Sequence, residues 1–167
     1  SVLPRIRQKL DVSVAGVCKQ GDRQIQWADA VANAQGLVAQ TERPLTPNPN
    51  PLCGDSDCLL LYDLAMYLSD GDRYEPPAEM TTRGSVWWSS NRALRHSLKF
   101  VRGADPVQKS RHKCQMESLA IIPVSTDAGV NHFLIFGDPK PDAFSRERIH
   151  MLEWIANGLE MAVSRWE

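Results

Sequence analysis

Two apolar segments separated by a short turn are the feature of this sequence that most constrains its fold. Ser118–Val124 and Val130–Phe136 are almost continuously apolar, and Asp127-Ala128-Gly129 lies between them. Apolar runs of this length, bounded by turn-forming residues, are typical of strands buried on both faces. The two segments therefore predict the central antiparallel pair of a sheet.

The sequence after this hairpin predicts a long amphipathic helix. Ser145 is placed to cap it, and Glu147 lies in its first turn. Apolar residues then recur at helical spacing at Ile149, Leu152, Ile155 or Ala156, Leu159, Val163 and Trp166. Further apolar residues widen this stripe at Met151, Trp154, Met161 and Ala162. One face of the helix is expected to cover the sheet and another to meet a partner helix.

Shorter elements are predicted in the first half of the chain. The first ten residues have the spacing of a short amphipathic helix. Strands are predicted at Val12–Cys18, Gln24–Ala30 and Gly84–Ser90, with a turn at Lys19–Asp22 and a helix at Asn91–Phe100. Loops are predicted at Thr41–Pro51, which has four prolines, and at Ser69–Thr82, whereas Leu59–Leu68 favours helix only weakly over strand.

Composition predicts one soluble domain over residues 1–167. The chain is 43% hydrophobic and 23% charged, which excludes collagen-like, disordered and coiled-coil classes. Its formal net charge of -1 provides no overall attraction for nucleic acid or for an anionic membrane, so neither is expected as a partner.

The sequence also predicts a cytoplasmic location. No segment reaches the roughly eighteen apolar residues of a membrane-spanning helix, and no secretory signal is recognisable at Ser1-Val2-Leu3-Pro4-Arg5. Four cysteines are too few for a disulfide scaffold and fit a reducing compartment. Because the chain does not begin with Met, we expect it to be a piece of a longer protein.

The second half of the sequence resembles the C-terminal half of a GAF domain. The family's strand-hairpin-strand-helix pattern is matched by Pro123-Val124, by Phe133-Leu134-Ile135-Phe136-Gly137 and by Pro141-Asp142-Ala143-Phe144-Ser145. The GAF domains of bacterial sensor histidine kinases are more closely similar. Their characteristic segments correspond to Leu52-Cys53-Gly54, Gly84-Ser85-Val86-Trp87-Trp88 and Arg111-His112-Lys113-Cys114 ahead of Glu117, although His112 and Lys113 replace the usual Asn and Arg.

This resemblance implies an α/β (α+β) fold of GAF/PAS type, a central antiparallel sheet with flanking N- and C-terminal helices. It also implies a sensor that binds a small molecule or responds to a redox signal. Such a domain would be part of a bacterial sensor kinase or transcription regulator, would act on an adjacent signalling module through its C-terminal helix, and is expected to form a homodimer. The family binds cyclic nucleotides, haem, tetrapyrroles, iron-sulfur clusters, small anions and metabolites, so the resemblance does not name the ligand.

Soft-ligand residues form one candidate cofactor site. Cys53, Cys58 and Cys114 could bind a metal, and together with His112 they offer the donors used by zinc, haem iron and iron-sulfur clusters. The spacing matches none of these sites closely. Buried structural thiols, or a redox disulfide between two of the three cysteines, therefore stay open as alternatives. Cys18, in an apolar strand, is expected to be a core residue.

Two adjacent tryptophans form a second candidate. In a strand, Trp87 and Trp88 must point to opposite faces, so one is expected in the core and the other in a ligand cavity or in solvent.

Hydrolase, nucleotide-binding and metalloprotease motifs are not found, and we expect no enzymatic activity. Two alternatives to a ligand sensor remain. One is a ligand-free dimerisation module, and the other is a thiol-dependent methionine sulfoxide reductase, an activity known for the GAF fold.

Overall fold

One antiparallel sheet organises the computed structural model of this chain. The structure describes residues 3–21, 24–32, 40–41, 79–80, 84–98, 116–126 and 129–164. The strands are β1 (Val14–Gly21), β2 (Gln24–Ala32), β3 (Gln40–Thr41), β4 (Glu79–Met80), β5 (Val86–Trp88), β6 (Ser118–Thr126) and β7 (Gly129–Asp138). The helices are α1 (Leu3–Leu10), α2 (Asn91–Leu98) and α3 (Arg146–Ser164).

The sheet brings the two ends of the chain together. In the described ranges its order is β3-β2-β1-β7-β6-β5-β4, and every neighbouring pair is antiparallel. β6 and β7 pair from Ser118↔Asp138 to Thr126↔Gly129, and β7 also pairs with β1. The predicted central hairpin and the predicted α+β fold class are therefore confirmed.

Helices α1 and α3 pack on the same face of this sheet. Each has a buried apolar stripe, formed by Leu3, Ile6 and Leu10 in α1 and by Ile149, Leu152 and Ala156 in α3. These six side chains share one hydrophobic cluster with inward-facing residues of β1, β5, β6 and β7. Burial of this cluster holds both terminal helices against the sheet.

The start of α3 follows the predicted capping chemistry. The Ser145 Oγ accepts a hydrogen bond from the Arg148 N–H at 3.2 Å, and the Ser145 carbonyl accepts one from the Ile149 N–H at 3.0 Å. Ser145 is thus the N-cap of the helix, as the sequence predicts. No helix in the described ranges combines the length and the apolar character needed to span a membrane.

Three loop predictions are wrong at their ends. Lys19, Gln20 and Gly21, predicted as turn residues, continue β1 and pair with β2. Glu79–Met80 forms β4 against β5, and Thr41 ends β3 against β2. Turn-forming composition is a local preference, and hydrogen bonding to a neighbouring strand overrides it.

Other predictions concern residues outside the described ranges. These are the proline-rich segment after Thr41, the segment Leu59–Leu68 and most of the loop that precedes β4.

Candidate functional site

The sheet face opposite α1 and α3, which we call the distal face, is apolar where the structure describes it. Strand alternation assigns to it the side chains that lie outside the cluster under the terminal helices. They are Val14, Cys18, Val86, Trp88, Leu119, Ile121, Phe133 and Ile135, and each is at most 6% exposed. None of the eight is charged, so this face can contact apolar or aromatic groups without losing solvation of an ion.

Register arranges these side chains in rows across the sheet. Trp88 pairs with Leu119, which pairs with Gly137, which pairs with Val14. The next row contains Val86, Ile121, Ile135 and Gly16 in the same strand order. Gly137 in β7 and Gly16 in β1 have no side chains, so at these two positions the distal face projects less far from the sheet than it does at Trp88.

The two adjacent tryptophans lie on opposite faces. Trp87 belongs to the cluster under the terminal helices, and Trp88 does not. Both are buried, with 3% and 2% exposure. The predicted alternation agrees with this arrangement, and the solvent-facing alternative is wrong for both. A ligand contact at Trp88 stays a prediction.

Cys18 is the described thiol of the distal face, and it is chemically quiet. Its Sγ–H donates to the Phe133 carbonyl at 3.7 Å, and the side chain is fully buried. Burial disfavours the thiolate and raises the pKa of Cys18 far above its ordinary value. The expectation that Cys18 is a core residue is confirmed.

This environment predicts that Cys18 resists alkylation in the native protein. Iodoacetamide reacts with thiolate, so the rate at Cys18 should be at least about 100-fold lower in buffer than in denaturant. Peptide mass spectrometry after timed labelling measures Cys18 separately from the other cysteines. Equal labelling rates in buffer and in denaturant would show that the thiol is not buried.

Polar contacts connect α3 to residues 85–90, which include β5 and which we call the β5 segment. The Ser85 Oγ donates to the Glu153 Oε2 at 2.7 Å, and both side chains are buried. The Glu153 Oε1 lies 3.4 Å from the Nδ1 of His150, which is itself largely exposed. A carboxylate is thus held between helix and sheet, where burial is costly unless polar partners accompany it.

Two more contacts join the same two segments. The Arg146 Cζ lies 5.5 Å from the centroid of the Trp87 ring, within the range of a cation–π interaction. The Asp142 N–H donates to the Ser89 carbonyl at 2.9 Å. From Ser85 to Ser89, the β5 segment is therefore linked at three points to α3 and to the turn before it.

A cleft of about 290 Å³ lies where α1, the turn after β7 and the start of α3 meet. Its Asp138 carboxylate and its Arg148 guanidinium already have partners within the fold. The Asp138 carboxylate accepts from the backbone N–H groups of Ser13 at 3.0 Å and Lys140 at 2.8 Å, and Arg148 donates to the Ala143 carbonyl at 2.7 Å. These bonds hold three chain segments together, which explains the cleft without a ligand.

The candidate cofactor ligands Cys53, Cys58, His112 and Cys114 lie outside the described residues. Among the residues that are described, no group of three His, Cys, Asp or Glu side chains is arranged to hold a metal ion. Metal, haem and iron-sulfur binding at those four residues therefore stay predictions.

Sequence reasoning missed the polar contacts of the β5 segment and α3. Ser85 and Glu153 are 68 residues apart, and a glutamate within a helix is usually exposed. The available signal was the position of Glu153 in the sequence. It lies directly between the apolar residues Leu152 and Trp154, at the boundary of the apolar stripe of the helix.

Comparisons with known proteins find similarity in structure but not in sequence. No protein-family model matches the sequence, and a search of curated proteins finds no match. A solved structure of GAF3 from Slr1393 of Synechocystis sp. PCC6803, in its photoproduct state, matches with a TM-score of 0.57 and 16% identity. That match covers 98% of this chain and 89% of the other.

Two further structures match over nearly the whole chain. The type II free methionine-R-sulfoxide reductase from Thermoplasma acidophilum has a TM-score of 0.54 and 14% identity, covering 99% of this chain and 89% of the other. A GAF domain region from Geobacter sulfurreducens PCA has a TM-score of 0.53 and 13% identity, covering 98% and 88%. At these identities the similarity is one of fold.

Proposed function

Because this chain has the fold of GAF domains, we propose that it is a regulatory sensor domain that binds a small molecule or cofactor and signals through α3. The observation that supports this most strongly is the division of the sheet. Its distal face is apolar and contains Trp88, whereas its other face packs against the terminal helices. A ligand on one face and an output helix on the other are separated by a single layer of strands.

The chemistry of the distal face favours a ligand with a large apolar surface. Aromatic and aliphatic side chains typically line small-molecule sites, and a few polar groups set the orientation of the ligand. We propose that Trp88 provides an aromatic wall of the site. Cys53, Cys58, Cys114 and His112 would supply thiolate and imidazole donors if the ligand is a metal, a haem or an iron-sulfur cluster.

Anaerobic purification followed by an absorption spectrum, metal and sulfide analysis, and native mass spectrometry tests this proposal. We expect a bound molecule, seen either as a visible absorption band or as an added mass that unfolding releases. Cys53→Ser and Cys114→Ser should remove an iron-based band, whereas Cys18→Ser should retain it. A colourless protein with its bare sequence mass, unchanged by haem, iron and sulfide reconstitution, would contradict cofactor binding through these cysteines.

Signalling through α3 requires that the helix contact something beyond its own sheet. Trp154 is 76% exposed on α3, and large aromatic side chains are enriched at protein interfaces. We propose that this face mediates a homodimer and that the chain acts beside another signalling module in the cytoplasm. We propose neither nucleic acid nor a membrane as a binding partner of this chain.

A Trp154→Glu substitution is expected to weaken dimerisation by at least about tenfold, the effect of losing a modest interface hot spot. Sedimentation velocity across a concentration series measures this directly. The matched control is Asn157→Glu, which places the same charge at another exposed position of α3. A dimer that withstands Trp154→Glu as well as it withstands the control would place the interface elsewhere.

A ligand-free interaction module is the main alternative, and one observation favours it. Every distal-face side chain described above is buried within the chain itself, as in a domain that fills its own pocket. Dimerisation through α3 together with no bound mass in the experiment above would favour this alternative.

The structural similarity to a free methionine-R-sulfoxide reductase supports a second candidate function. Cys18 is too deeply buried to be its nucleophile, so Cys53, Cys58 and Cys114 would have to supply the reactive thiols. Thiol-dependent reduction of free methionine sulfoxide, lost in a Cys53→Ser, Cys58→Ser and Cys114→Ser triple variant, would establish this activity. Equal rates with and without the protein would exclude it.

A further inference from the structure

The contacts between the β5 segment and α3 involve two polar groups in places that packing alone would not favour. Glu153 is a carboxylate with 5% exposure, and apolar residues of similar volume commonly replace buried ion-pairing groups without loss of stability. Arg146 is the first residue of α3, where the positive end of the helix dipole disfavours a cation. Each contacts a group of the β5 segment, Glu153 the hydroxyl of Ser85 and Arg146 the ring of Trp87.

These two contacts are directly connected to the distal face through the backbone of one short strand. Ser85 and Trp87 point toward α3, and the side chains of Val86 and Trp88 alternate with them on the distal face. β5 has only three residues, Val86–Trp88, and its other partner strand, β4, has two. A shift of Trp88 therefore moves the backbone that positions both contacts with α3.

We infer that β5 is the element that transmits a change at the distal face to the output helix, through the Ser85–Glu153 hydrogen bond and the cation–π contact of Arg146 with Trp87. β6 lies next to it in the sheet and packs against α3 itself through apolar side chains, which can slide with little directional preference. The Ser118 Oγ of β6 makes hydrogen bonds only to the turn before the helix among the described contacts, donating to the Lys140 carbonyl and accepting from the Ala143 N–H. A hydrogen bond and a cation–π contact depend on direction and distance, so they convert a small strand movement into a change in how α3 is held. This inference rests on the proposed sensor function.

Amide hydrogen exchange in α3, measured on the full chain without added ligand, tests the inference. The perturbation is Trp88→Phe, which changes the distal face while retaining an aromatic ring. We expect exchange at residues 149–156 to accelerate roughly fivefold relative to amides of β6 and β7, an effect typical of coupled sites. In a Ser85→Ala background the same Trp88→Phe change should alter these relative rates less than about twofold.

Two matched controls separate transmission from general loosening. Ile135→Val perturbs the same face from β7, two strands away, and should leave the relative exchange of α3 unchanged. Ser90→Ala removes a hydroxyl from the same segment, but the Ser90 Oγ accepts from the Ala93 N–H at 3.1 Å and caps α2. Trp88→Phe should therefore keep its effect on α3 in the Ser90→Ala background.

Either of two results would overturn the inference. If Trp88→Phe leaves hydrogen exchange in α3 unchanged, or accelerates that exchange equally in the wild-type and Ser85→Ala backgrounds, β5 does not transmit through these contacts. Should Ser85→Ala fail to fold, Arg146→Gln removes the other contact and takes its place. Because no ligand is added, failure here would leave ligand binding untouched, and a failed ligand search would leave this coupling intact.

Discussion

Replacing Trp88 with alanine is expected to lower the free energy of unfolding by about 3–5 kcal/mol, the range measured for truncating a fully buried large aromatic residue. Trp88 is 2% exposed and among the largest fully buried side chains that the structure describes. For a chain of this length, that loss corresponds to a melting temperature lower by roughly 6–20 °C. Urea denaturation followed by far-ultraviolet circular dichroism gives the free energy directly.

The control for Trp88→Ala is the same substitution at Trp154. That side chain is 76% exposed, so its truncation should change the stability of the monomer by less than about 0.5 kcal/mol. If the free energy of unfolding of Trp88→Ala lies within about 1 kcal/mol of the wild-type value, the distal face is not a packed surface.

Asp138→Asn is expected to cost about 2–3 kcal/mol of unfolding free energy. The Asp138 carboxylate is 2% exposed and accepts two backbone hydrogen bonds, from Ser13 and from Lys140. Asparagine turns an amide N–H₂ toward one of those donors, so one hydrogen bond is lost and the other is no longer charge-assisted. Since Ser13 precedes β1 and Asp138 ends β7, the substitution weakens the junction between the start of β1 and the end of β7.

Asp142→Asn is the matched control for this second substitution. Asp142 is exposed and has a left-handed backbone, with φ of 56°, that asparagine also tolerates. We expect it to change stability by less than about 0.5 kcal/mol in the same urea titration. Equal losses from both variants would mean that the bonds to Ser13 and Lys140 contribute nothing specific.

The parts of the fold predicted best from sequence were those with strong local patterns. The β6–β7 hairpin was recognisable because two apolar runs flank Asp127-Ala128-Gly129. The start of α3 was recognisable because Ser145 precedes a helical repeat of apolar residues. Both are marked by a pattern contained in one short stretch of the chain, which is the range over which sequence patterns are informative.

The parts that were not predicted depend on residues far apart in sequence. The extension of β1 through Lys19, Gln20 and Gly21 is determined by its pairing with β2, not by the turn preference of those residues. The Ser85–Glu153 bond and the bond from Ser13 to Asp138 span 68 and 125 positions. A local pattern can place Glu153 at the edge of the apolar stripe, but it does not identify a partner this far away in sequence, so only the assembled sheet shows which groups these polar side chains contact.

The candidate site was predicted only in part. Strand alternation correctly placed Trp87 and Trp88 on opposite faces, because period two is a property of any strand. Alternation could not determine which of the two tryptophans points toward the terminal helices, since that depends on the register of β5 against β6. The cysteine group remains a prediction from sequence, and the experiment on bound cofactors is its test.

A thermal-shift comparison of wild type, Trp88→Phe and Trp154→Phe tests whether a small molecule binds the distal face at Trp88. The compounds are haem, a linear tetrapyrrole and cyclic nucleotides, together with any molecule found by native mass spectrometry. At about 100 times its dissociation constant a ligand adds roughly 2.7 kcal/mol, which raises the melting temperature by about 5–10 °C here.

At least one compound is expected to produce this shift in wild type and in Trp154→Phe, and a clearly smaller shift in Trp88→Phe. The contradicting result is a shift of the same size in all three proteins, which would place binding away from Trp88. A panel with no shift at all, from protein that carries no bound molecule, would contradict ligand binding itself and favour the ligand-free interaction module.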